Sequence, residues 1–267
     1  MPVANLNGHS MYYEVLGRGD PVLCMGGWGT FCHDNHHHLS RGLIDRYQVI
    51  IFDYRGIVDS GDDLTIPSTM ALHADDAIAL LDHLKLKNVH LIGLVGMGAC
   101  VCQEIAMRRP DLARSMLNTG AWCYVDDFLR DQLEMFRWIH RDLGFAAFQK
   151  AVTLLSFTPE YYNETKEKLL GSQGGWKELN GRYTAHSRLV DACVGFESRD
   201  RLRQVKCPSF ILHAALDQVT SPRTTIPIEQ AIPGAIGETW DDLGHVVAGK
   251  GLKIRFATRL FAWLAAN

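Results

Sequence analysis

The sequence predicts an α/β fold: a mostly parallel central sheet with helices on both faces and a helical lid inserted into it. Three observations predict this. Short, continuously apolar runs recur along the chain, helix-period stretches separate them, and one long segment carries helical pattern alone. Continuous apolar runs suit strands covered on both faces, where half-exposed strands would alternate. Alternating strand and helix signals point to a parallel sheet.

The first element is VANLNGHSMYYEVLG (3–17), which reads as an antiparallel hairpin turning at Asn7-Gly8. The apolar runs VLCM (22–25), QVIIFD (48–53), NVHLIGL (88–94) and SFILHA (209–214) read as buried strands. A helix is expected from about Thr69 to Leu84, with Leu72, Ile78, Leu81 and Leu84 on its apolar side and Ser68 as N-cap. Another is expected from about Met97 to Arg108, stopping before Pro110. Between Tyr124 and Glu197 the strand signal disappears and aromatics crowd in, among them Phe136, Trp138, Phe148 and Trp176; strands resume at Cys207. The expected organisation is therefore a core domain in two parts, 1–123 and 198–267, with a helical lid over 124–197.

Composition narrows the function classes. The chain has 267 residues and a formal charge of −3, so nothing points to nucleic acid or an anionic membrane as partner. No apolar run approaches the roughly 18 residues of a membrane helix. The start, MPVANLNGHS, lacks the basic and apolar regions of a signal peptide. Seven cysteines without a C-x-x-C pair suit a reducing compartment, most simply the cytoplasm. The expected partner is a small-molecule substrate, with no cofactor implied and a homo-oligomer left open.

Open parallel sheets bind ligands at the carboxyl ends of their strands. VLCM runs into Gly26-Gly27-Trp28-Gly29, a turn whose backbone N–H groups suit a developing oxyanion. QVIIFD runs into Asp53-Tyr54-Arg55-Gly56-Ile57-Val58-Asp59-Ser60, where Ser60 is expected to make local turn hydrogen bonds. SFILHA is followed by Asp217, and IGETWDDL by Gly244-His245, so an acid and a histidine follow successive late elements. A buried Asp can orient an imidazole in this way. NVHLIGL runs into GLVGMG (93–98), which is no phosphate loop, since no Lys-Ser/Thr follows its glycines. His33, His36, His37 and His38 are read as surface helix rather than metal ligands. Only His33 and His37 would share a face, and no carboxylate or cysteine stands at ligand spacing. Cys100 and Cys102 lie inside the helix after the turn and read as small buried residues.

Taken together, Met25-Gly26-Gly27-Trp28-Gly29, the D-x-R-G-x-x-x-S stretch from Asp53 to Ser60, the strand–turn–helix at 88–108, Asp217 and Gly244-His245 resemble the α/β-hydrolase fold superfamily in its lidded form. The resemblance covers nearly the whole chain. It implies a triad in the order nucleophile, acid, histidine. Asp217 would be the acid and His245 the base. Gly27 or Trp28 would supply one oxyanion N–H, and the residue after the nucleophile the other. Two departures stand out: Val58 replaces a usual glycine, and the nucleophile elbow, G-x-S-x-G in the family, has no serine.

The elbow has two registers, with Val95 or Gly96 at its tip, and each keeps one motif glycine. A β-branched residue is an outlier at the positive φ required there, whereas glycine is not. Family helices also often read S-M-G-(G/A)-x-x-x-Q, a spacing that Gly96-Met97-Gly98-Ala99 and Gln103 reproduce. Gly96 is therefore expected at the nucleophile position, Met97 as the second oxyanion donor, and Trp122 and Trp138 in the substrate pocket. The expected function is a hydrolase-type enzyme acting on a small, fairly apolar carbonyl compound: an ester, lactone, amide or a C–C bond next to a carbonyl. Gly96 would be either a Ser→Gly replacement or native. A native Gly96 also fits lyase, isomerase or decarboxylase chemistry based on His245. A non-catalytic binding or receptor protein is the alternative of another class.

Overall fold

A computed structural model describes residues 3–267. Eight strands form one sheet: β1 (Val3–Leu6), β2 (His9–Leu16), β3 (Pro21–Met25), β4 (Gln48–Phe52), β5 (Val89–Gly93), β6 (Ala113–Thr119), β7 (Ser209–Ala214) and β8 (Ile236–Trp240). Their order is β1-β2-β4-β3-β5-β6-β7-β8. β1 and β2 form the predicted hairpin, with Leu6 opposite His9 and Asn7-Gly8 at positive φ in the turn. β2 pairs antiparallel with β4, and the remaining neighbours are parallel.

The apolar runs are buried because both faces of the sheet are covered. On β3 and β4 successive side chains alternate between two cores. Leu23, Met25, Ile50 and Phe52 join one that includes α2 (Met70–His83) and α3 (Met97–Arg108). Val22, Cys24, Val49 and Ile51 join the other, with Leu43 of the short α1 (Leu43–Arg46) and Phe256, Leu260 and Trp263 of α9 (Lys250–Ala266). Four helices lie between β6 and β7: α4 (Asp127–Leu143), α5 (Phe145–Ser156), α6 (Pro159–Leu169) and α7 (Tyr183–Val194). α8 (Ser221–Ala231) connects β7 to β8. Among the described residues no helix is long and apolar enough to cross a membrane.

Local expectations needed three corrections. α2 is capped by Thr69, whose hydroxyl accepts from Leu72 N–H at 3.1 Å; Ser68 instead hydrogen-bonds His73 Nε2. The histidine run forms only a 3₁₀ turn, Asn35–His38, and His33 precedes it, with Nε2 2.7 Å from the buried Asp53 carboxylate and its ring stacked on Tyr12. Strand β6 gave no apolar run because Ser115, Asn118 and Thr119 interrupt it, yet all three are buried. Ser115 Oγ hydrogen-bonds His90 Nδ1 on β5, and Thr119 Oγ1 accepts from Val95 N–H beyond β5. Polar residues are tolerated in this central strand because each finds a partner.

Candidate active site

The carboxyl ends of β3, β5, β7 and β8 bring the predicted residues to one place. Asp217 follows β7 and is almost fully buried. Its Oδ1 accepts from the N–H groups of Val219 (2.7 Å) and Thr220 (2.8 Å), and its Oδ2 from Thr220 Oγ1 (2.6 Å) and His245 Nδ1 (2.8 Å). Burial alone would raise the carboxyl's pKa; His245 and the Thr220 donors outweigh it and hold the group below its ordinary value. Donation from Nδ1 fixes the imidazole tautomer and leaves Nε2 with its lone pair. That ring lines a cavity with a volume of about 50 Å³.

One side of the cavity is formed by Gly27 and Trp28 after β3, and by Val95, Gly96 and Met97 after β5. Among the described residues, the backbone N–H groups of Gly27, Trp28 and Met97 donate to no other backbone or side-chain group. Met97 opens α3, where N–H groups have no partner within the helix. The cavity is therefore lined by the imidazole and by three residues whose backbone N–H groups have no other partner, of which Met97 stands at the N-terminus of α3.

The turn between β5 and α3 keeps the glycine of each predicted register, Gly93 and Gly98, and Gly96 stands immediately before α3 at positive φ. A Cβ on Gly93 would stand 2.3 Å from Ala99 Cα, and one on Gly98 would stand 2.5 Å from Gly26 O and Met25 C. Both glycines are thus required by close packing, of helix on strand and of helix on the β3 turn. They enclose four residues, Leu94 to Met97, whereas the two glycines of G-x-S-x-G enclose three. The tip is accordingly two residues, Val95 (φ 57°) and Gly96 (φ 58°, ψ −122°). The steric premise that a β-branched residue would avoid positive φ fails here. Val95 is held in that conformation by N–H donation to Thr119 Oγ1 at 3.1 Å, and Gly96 N–H donates to Gly120 O at 2.8 Å. Val58 also takes a positive φ, 43°, at the position where a glycine was expected.

Trp122 lines the cavity, with its Cζ3–Cη2 edge beside Gly96. Trp138 does not: it lies on α4 with 51% of its surface exposed, so its expected place in the pocket is wrong. On a helix, the residues three and four positions from a core residue share its face. Leu133 and Phe136 occupy the cavity side of α4, and Trp138 falls off it. The other side of the cavity comes from Leu133, Phe136, Val152, Ser156 and Trp176, of which sequence reasoning had singled out no site role. Ser60 donates to Asp53 O at the start of its own loop, as expected, and also accepts from Tyr12 N–H of the distant β2, and so supplies no free hydroxyl. Cys100 and Cys102 are fully buried, and burial pushes both thiols well above their ordinary pKa.

The sequence matches the α/β hydrolase fold family over residues 20–251. It is 27% identical over 239 residues to a protein of Azorhizobium caulinodans named as a carbamate hydrolase, RutD, with 88% of each chain covered. It is 32% identical over 149 residues to the cis-3-alkyl-4-alkyloxetan-2-one decarboxylase of Shewanella oneidensis, covering 51% of this chain and 43% of that one. The enol-lactonase of Burkholderia xenovorans superposes with a TM-score of 0.83 at 18% identity, covering 99% of this chain and 100% of that one.

Proposed function

Because the chain belongs to the α/β hydrolase fold family and is a hydrolase-like enzyme of it, we propose that it acts on a small carbonyl compound through His245 as general base, with no covalent acyl-enzyme. One observation carries this reading. His245, oriented by Asp217, faces a cavity at whose elbow two residues without a nucleophilic atom, Val95 and Gly96, stand between both packing glycines. A single Ser→Gly replacement would leave the motif at its usual length. The additional residue favours a natively nucleophile-free elbow.

In the proposed hydrolytic step, His245 Nε2 takes a proton from water as the water oxygen bonds to the carbonyl carbon. The carbonyl π electrons move to oxygen, and the oxyanion is held by N–H groups of Gly27, Trp28 and Met97. Collapse expels the leaving group, which takes the proton back from the imidazolium. Asp217 stabilises that cation and keeps its proton on Nδ1. The same base can remove a proton next to a carbonyl, with the amides holding the enolate.

The substrate class follows from size and lining. A volume of about 50 Å³ holds roughly three to five heavy atoms, given ~10–15 Å³ per water. The walls are mostly apolar. Similarity to proteins named for a carbamate, an oxetanone and an enol-lactone supports esters, lactones and carbamates as the class. The helices between β6 and β7 act as a lid, since α4 and α5 supply part of the cavity wall.

The test is turnover on a panel of short esters, lactones and carbamates with wild type, His245→Ala and Gly96→Ser. His245→Ala is expected to lose at least ~10²-fold, the usual worth of a positioned base. Gly96→Ser is expected to raise ester hydrolysis less than about tenfold. The atoms within 4 Å of a Cβ there belong to Trp122, with none of His245 among them. Unchanged turnover in His245→Ala would overturn the proposal.

A further inference from the structure

Ser156 ends α5 and lies where the helical segment meets the histidine turn. Its backbone carbonyl accepts from Val246 N–H at 3.1 Å, and a Cβ on Gly244 would stand 3.3 Å from the same oxygen. The Ser156 carbonyl is thus hydrogen-bonded to the residue after His245 and lies close to the residue before it. The side chain takes no part in these contacts. Ser156 is one of the residues around the cavity; its side chain is fully buried, and its Oγ has almost no accessible surface and no hydrogen-bond partner among the described residues. A helical serine would ordinarily donate to the carbonyl one turn earlier, and a buried hydroxyl without a partner is unfavourable. Apart from this hydroxyl, the side chains of the helical segment that face the cavity are apolar or aromatic: Leu133, Phe136, Val152 and Trp176.

A second hydroxyl on the same helix gives the contrast. Thr153 Oγ1 is likewise buried and unpartnered, but Thr153 does not line the cavity. Trp122 Nε1 is also unpartnered, but the indole presents its Cζ3–Cη2 edge to the elbow, which leaves Nε1 on the far side of the ring from the tip.

From this geometry we infer that Ser156 Oγ is a specificity-determining group that hydrogen-bonds a second oxygen of the substrate. The substrate class is then a carbonyl compound of about three to five heavy atoms bearing a hydroxyl or second carbonyl oxygen close to the reacting carbon. The carbonyl lies toward His245 and the free amides, and the second oxygen toward α5. A neutral hydrogen bond replacing an unpaired buried hydroxyl discriminates strongly against an analogue that lacks the oxygen. This inference rests on the cavity being the substrate site, and the test separates the two.

The probes are hydroxyacetone and butan-2-one, which differ by one hydroxyl in place of one methyl. Dissociation constants are read from tryptophan fluorescence, since Trp28, Trp122 and Trp176 line the cavity. The wild type is expected to bind hydroxyacetone about tenfold more tightly, equivalent to about 1.4 kcal/mol. Ser156→Ala is expected to bring the two constants within about twofold by loosening hydroxyacetone alone. Thr153→Val is expected to leave the preference intact, and Ser156→Cys, nearly the size of serine but a weak donor, to lose most of it. A preference that survives in both Ser156→Ala and Ser156→Cys, or is missing from the wild type, overturns the role of Ser156 while leaving the cavity as the site. Failure of both ketones to bind the wild type overturns the site itself, and the Ser156 role with it.

Discussion

Alanine at Gly93 and at Gly98 tests the geometry of the elbow more sharply than any change at its tip. A Cβ at Gly93 meets Ala99 Cα at 2.3 Å and Ala99 N at 2.7 Å, and one at Gly98 meets the Met25–Gly26 backbone at 2.5 Å. Carbon atoms pack at about 3.5–4.0 Å, and the obstructing atoms are backbone, so no rotamer change relieves either overlap. Overpacking of this kind costs ~1–3 kcal/mol where neighbours can shift and more where they cannot. We expect about 3 kcal/mol or more at each position. At Gly98 the sign is itself informative, because Gly→Ala inside a helix ordinarily stabilises by ~1 kcal/mol. Gly96→Ala is the control. Its Cβ would meet Trp122 Cζ3 at an ordinary 3.7 Å, leaving only the backbone strain of φ 58°, about 1–3 kcal/mol. Urea denaturation followed by tryptophan fluorescence measures all three. If Gly93→Ala costs less than about 1 kcal/mol, Gly93 is not a packing glycine and the four-residue elbow is wrong.

Asp217→Ala is expected to destabilise by about 3 kcal/mol or more, because it leaves His245 Nδ1, Thr220 Oγ1 and two backbone N–H groups without their buried acceptor. The folded-state pKa of Asp217 lies below its ordinary 3.8. Its stabilisation is therefore complete above that value and is lost as pH falls through the lower, folded one. Denaturation curves should show wild type and Asp217→Ala well separated at pH 7 and converging only below about pH 4. Separately, buried His73 and His186 have pKa values lowered to about 3 by burial. Since their unfolded values lie near 6.5, the folded state should weaken progressively as pH drops from 6.5 toward 3, and His186→Phe should flatten that limb. Trp138→Ser, on the exposed side of α4, should change butan-2-one affinity by less than about twofold; a larger loss would return Trp138 to the pocket.

Sequence reading found the fold because its signals are local. SFILHA is β7 and Met97–Arg108 is α3 residue for residue, since apolar continuity and the Pro110 stop act within a few residues. Asp217 and His245 were legible because strand order carries them to one end of the sheet. What escaped depends on contacts distant in sequence. β6 hid because its buried Ser115, Asn118 and Thr119 are satisfied by partners on other elements. The cavity side of α4 depends on which face packs inward, and that choice separates Phe136 from Trp138. The conformation of Val95 escaped for a different reason. Conformational preference argues against Val95 at positive φ, but hydrogen bonds from the end of β6 hold it there. Ser156 had no signal at all, since a serine at a helix end is ordinary until its neighbours are known.

If His245 acts directly on water or substrate, the cavity works without a covalent nucleophile. Incubation of the intact protein with a fluorophosphonate, followed by intact-mass measurement and peptide mapping, tests it directly. A serine activated by His245 would form a phosphonyl ester and shift the mass by one adduct. No adduct is expected at Ser156, Ser60 or any other serine, under conditions in which His245→Ala abolishes turnover. Stoichiometric labelling of a serine that is lost in His245→Ala would contradict it.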